Sequence, residues 1–134
     1  MNTGYLLSGI GAGLTFGLHV WGGGPEFLEP FLATLEDQRL RAMSVILWHA
    51  VSMTLALQAV TMLWLARHPS RPLGLFVAAG HLGWAVLFLI VGQVMLATIW
   101  DLGQWTIFLV LAGLTLWGAA RPEVVTSPAH PAPR

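Results

Sequence analysis

Residues 72–99 read PLGLFVAAGHLGWAVLFLIVGQVMLATI, a run of 28 residues with no charged side chain. The hydrocarbon core of a bilayer is about 30 Å thick and an α-helix rises about 1.5 Å per residue, so about 20 apolar residues suffice to cross it. Three more stretches have the same character, over about 5–21, 42–66 and 104–120. None alternates apolar and polar residues as the strands of a membrane barrel do. Closed helices are then the way to satisfy the backbone in lipid. The expected fold is all-α: an integral membrane four-helix bundle, up-down-up-down, forming one domain over residues 1–121.

Composition points the same way. The chain has 134 residues, of which 56% are hydrophobic and 9% charged, against about 25% charged in soluble domains. It has too little polar surface for water. With no cysteine and a formal net charge of zero, it offers no disulfide framework, thiol nucleophile or thiolate metal site. There is no basic cluster for nucleic acid. The expected surroundings are the lipid bilayer, with a homo-oligomer or a membrane complex as the partner class.

Outward from the spans, punctuation sets the limits. Gly22-Gly23-Gly24-Pro25 reads as the end of the first helix. Pro69-Ser70-Arg71-Pro72 and Asp101-Leu102-Gly103 read as tight turns, which make neighbouring helices antiparallel. The long loop 22–41 carries Phe27, Leu28, Phe31, Leu32 and Leu35 at helical spacing. It reads either as a short helix lying in the outer interface or as an outward extension of the second helix from about Pro30. The tail 122–134 has four prolines and almost no bulky apolar residue, and is expected to be disordered.

Orientation follows from arginine, since lysine is absent. Arg67, Arg71, Arg121 and Arg134 fall on one side of a four-span chain and Arg39 and Arg41 on the other, which places both termini in the cytoplasm of a cell with an inner membrane. Glu26, Glu29, Glu36, Asp37 and Asp101 then face outward. Trp21, Trp100 and Trp105 mark the outer boundary, with Trp64 and Trp117 near the inner one. The first span has no positive residue before it and ends in bulky Trp21, unlike a cleaved signal peptide.

Polar groups inside spans are costly and call for a partner or a function. His19, His49 and His81 lie one on each of the first three helices. His68 and His130 fall outside the spans. By helical rise, His19 and His49 share the outer half and His81 sits near the midplane. Ser8, Ala12, Thr15 and His19 form one stripe, as do Val45, His49, Ser52 and Ala56, and Gly74, Ala78, His81, Ala85, Phe88 and Gly92. On the fourth helix Phe108, Ala112, Thr115 and Ala119 do the same. Small and polar stripes face other helices.

The expectation is a binding or redox subunit with a histidine-lined site in the outer half. His19 and His49 suit the axial positions of a haem b, and His19, His49, His81 and Glu26 together suit a transition metal. The rival expectation is a structural or assembly subunit, in which the histidines tie helices together. Gly9, Gly13 and Gly17 then form a flat strip for close helix packing. Thr54, Gln58 and Thr61 form a further polar stripe. A transporter of a small solute or proton is disfavoured, because no span interior carries an Asp, Glu, Lys or Arg. Catalytic residues are not assigned.

The arginine distribution yields a direct expectation. A reporter fused after Arg134 should be active on the cytoplasmic side, and activity confined to the external side would reverse the orientation.

Overall fold

The computed structural model describes residues 1–121. The tail from 122 onward, expected to be disordered, lies outside the described residues. The described chain is all helical, with no strand among the described residues. Its α-helices are α1 (Thr3–Gly17), α2 (Glu29–Ala33), α3 (Gln38–Leu65), α4 (Arg71–Leu96) and α5 (Trp105–Ala119). Helices α3 and α4 are long and apolar enough to cross a membrane. Helix α5 is apolar but shorter.

The glycine-proline segment does not end the first helix. After Gly17 the chain continues through two π-helical turns, Leu18–Gly22 and Gly24–Leu28, directly into α2. The Gly23 N–H bonds the Leu18 carbonyl and the Glu29 N–H bonds the Gly24 carbonyl, each five residues back. The wider turn relieves the clash that Pro25 would make with a carbonyl four residues behind, and Pro25 falls in the first turn of its segment, where its missing N–H costs least. No described glycine has a positive φ, so the three glycines here act through their small size. The stretch 27–35 is therefore not an extension of the second long helix. Its helical part continues α1, and α3 begins at Gln38. There the Asp37 carboxylate accepts from the Arg39 N–H at 2.7 Å, a standard N-cap.

The 72–99 run forms a helix to Leu96. Ala97 then takes a left-handed conformation (φ 55°) and sends its N–H to the Gly92 carbonyl. Such a cap usually uses glycine.

Packing is closest where the first residues of α1 meet the ends of α3 and α5. The Asn2 N–H bonds the Ala66 carbonyl at 2.7 Å, and its side-chain amide donates to the Gly118 carbonyl at 2.8 Å. Tyr5, the only tyrosine, is 1% exposed. It lies over Gly74 and Gly118, and its hydroxyl donates to the Ser70 carbonyl at 3.2 Å. Tyr5, Met62, Leu65, Ala66, Val77 and Ala119 form one apolar cluster. A second cluster gathers Ala12, Leu55, Ala59, Ala85, Phe108 and Leu111. The buried hydroxyls of α1 and α5 satisfy each other: Ser8 pairs with Thr115 at 2.7 Å, and Thr115 donates to the Leu111 carbonyl at 2.8 Å. Helix α1 packs on α3 and α5, and α5 on α4, while α3 and α4 touch only sparsely.

The glycine strip divides. A Cβ on Gly9 would meet Leu63 of α3 at 2.9 Å, one on Gly13 would meet nothing within 4 Å, and one on Gly17 would meet Trp21 farther along the same chain. The tightest backbone crossing lies elsewhere, where a Cβ on Gly4 would stand 2.5 Å from the Gly118 nitrogen. Gly4→Ala should therefore destabilise the fold by about 1–3 kcal/mol. Gly13→Ala should be neutral or slightly stabilising, because alanine favours the helix. Thermal melts of the detergent-purified variants check this, and equal shifts would contradict the crossing.

Candidate functional site

A half-open cavity of about 480 Å³ lies between the helices, away from the Tyr5 crossing. Its walls come from the end of α1 and the π turns that follow (Thr15, His19, Gly22, Gly23, Glu26), from α3 (Trp48, Val51, Leu55), from α4 (Trp84, Phe88) and from the start of α5 (Ile107, Phe108). The volume falls within the usual range for small-molecule sites, about 300–1,000 Å³. The two π turns pass along its edge, and π turns inside helices often mark functional sites.

Aromatic rings make two walls. On one, the His19 and Trp48 rings stack with centroids 4.1 Å apart and planes 18° from parallel. On the other, Phe108 lies between Trp84 (5.9 Å, 23°) and Phe88 (5.8 Å, 19°). His19 Nε2 sits 3.3 Å from the Trp48 carbonyl oxygen. A carbonyl only accepts, so in the neutral ring Nε2 carries the proton and Nδ1 the lone pair. Glu26 is exposed and is the only carboxylate among the lining residues, which include no Lys or Arg.

Of the four residues expected to hold a metal, His19 and Glu26 line this cavity, and His49 and His81 do not. No cluster of three His, Cys, Asp or Glu able to hold a metal occurs among the described residues. The reason for His49 is helical phase. The buried face of α3 carries Ser52, Leu55, Ala59, Met62 and Leu65, and that face extends to Trp48. His49, about 100° further around, is exposed. Of the two histidines expected to pair, His19 lines the cavity and His49 lies outside its lining.

His81 is wholly buried on α4, between Val77 and Ala85. Neither ring nitrogen has a hydrogen-bond partner. Gln58 of the polar stripe on α3 lies against Gly80 of α4, where a Cβ would stand 3.3 Å from its Nε2, and its Oε1 is buried without a partner.

The residues that the histidine reading passed over are the aromatic ones. Trp48 and Trp84 are the two tryptophans that no interface position explains, and that is the signal that identifies them in the sequence.

The chain matches no family model, no curated protein and no solved structure at a significant level.

An unpartnered buried polar group costs about 1–3 kcal/mol. His81→Leu, which keeps the volume and removes both orphaned nitrogens, should therefore raise the melting temperature in detergent. A clear fall would show that the imidazole makes a bond the fold depends on.

Proposed function

We propose that this chain is a small multi-pass protein of the cell inner membrane, crossing the bilayer four times up-down-up-down with both termini in the cytoplasm. We propose further that it works as a binding subunit for a small amphipathic molecule held in the outer half of the bundle. One observation carries this reading: an apolar exterior surrounds a half-open cavity with aromatic walls. Leu14, Met53, Val60, Phe76, Val94 and Val110 are each more than 60% exposed, which water would penalise and lipid would not. Only 22% and 28% of the most apolar windows of α3 and α4 are buried, unlike the core helices of a water-soluble domain. The acids of loop 22–41 and Asp101 then share the cavity's side of the membrane, and Arg67, Arg71 and Arg121 the other.

The sequence-based expectation of a metal or haem gives way here to an organic ligand, because the lining offers one imidazole, one carboxylate, the Gln104 amide, the Thr15 hydroxyl and aromatic rings. A second reading, an assembly subunit, draws on Gly13. It is the one member of the glycine strip with no neighbour within 4 Å and is free to meet a helix of a second copy.

A neutral fluorescent probe, N-phenyl-1-naphthylamine, distinguishes a site from simple partitioning into lipid. In reconstituted vesicles the wild type should show saturable energy transfer from tryptophan to the probe. Thr15→Trp, which fills the cavity, should abolish the saturable part while keeping the wild-type melting temperature. Identical, non-saturable signals from both proteins would contradict a binding site.

A further inference from the structure

We infer that the cavity selects a lipophilic organic cation, an ammonium group carried on an apolar or aromatic body; this rests on the binding reading above. Three features of the lining point to positive charge. First, Glu26 is the only formally charged lining residue, and neither Lys nor Arg is present to neutralise it or to receive an anion. Second, both walls are stacked rings, His19 on Trp48 and Phe108 between Trp84 and Phe88. The faces of such rings carry the negative end of the aromatic quadrupole and attract cations, most strongly those of tryptophan. Third, the bond from His19 to the Trp48 carbonyl commits Nε2 as donor and leaves the neutral ring with an accepting Nδ1.

The setting agrees with the lining. Glu29, Glu36 and Asp37 follow Glu26 between α1 and α3, Asp101 lies in the connection from α4 to α5, and together they outnumber Arg39 and Arg41. An approaching cation is drawn toward this end, and an anion is repelled. A carboxylate at an open rim gives orientation and attraction at low salt. The rings deeper in supply contact that screening ions do not reach.

The test uses two probes of nearly equal shape, phenyltrimethylammonium and its uncharged isostere tert-butylbenzene. Each is titrated against the intrinsic tryptophan fluorescence of the full chain in lipid nanodiscs, with concentrations corrected for partitioning. The ammonium should bind saturably and about tenfold more tightly than the isostere. Glu26→Gln should weaken the ammonium several-fold at low salt and leave the isostere unchanged. Trp48→Leu should reduce the preference for the ammonium while melting as the wild type does. Equal affinities for the two probes would overturn the cation inference and leave the binding cavity standing. Saturable binding of neither would overturn both.

Discussion

The structure depends on one close approach. Gly4 and Gly118 bring the backbones of α1 and α5 together where any side chain would collide, and Tyr5 lies across the junction with its ring over Gly118 and Gly74. Three connections close around it: Asn2 to the carbonyls of Ala66 and Gly118, and Tyr5 to the carbonyl of Ser70. Asn2 gives the Ala66 carbonyl at the end of α3 a donor, and the Gly118 and Ser70 carbonyls, which also accept from the backbone N–H groups of Arg121 and Gly74, take a second one. The start of α1 is thereby tied to the end of α3, the start of α4 and the end of α5.

A bundle drawn tight at one level by glycine need not be tight at another. Farther along, large rings from three helices, Trp48, Trp84, Phe88 and Phe108, line the cavity, and Phe16 packs beside them. Large rings hold helices apart, and the π turns after Gly17 change the phase of the first helix at the same level. The cavity results from those two causes together. The proposed function rests on them: a site walled by aromatic rings with a carboxylate among its lining residues.

Much of this was legible in the sequence. The small and polar stripes of α1, α4 and α5 run along faces that bury Ser8, Ala12, Ala78, His81, Ala85, Phe108, Ala112 and Thr115. On α3 the stripe buries Ser52 but leaves His49 exposed. Trp48 rather than His49 lines the cavity, and a shift of one residue turns a side chain by about 100°. The end of the first helix was also misread. Three glycines and a proline signal a break in most chains, and only the five-residue hydrogen-bond spacing of a π turn lets a helix absorb them. The crossing at Gly4 and Gly118 joins positions far apart in sequence, and no local pattern announces it. The glycine strip at 9, 13 and 17 was the more conspicuous motif, yet it contributes one contact with α3, through Gly9.

The chain's lack of cysteine makes the central claim, a tight end opposed to an open one, directly measurable. Single cysteines at Ser8, buried beside Thr115, and at Thr15, on the cavity wall, lie about two turns apart on one helical stripe. In membrane vesicles whose outer face is exposed, a water-soluble maleimide should label Thr15→Cys and leave Ser8→Cys untouched. Protection of both, or labelling of Ser8→Cys alone, would contradict the account.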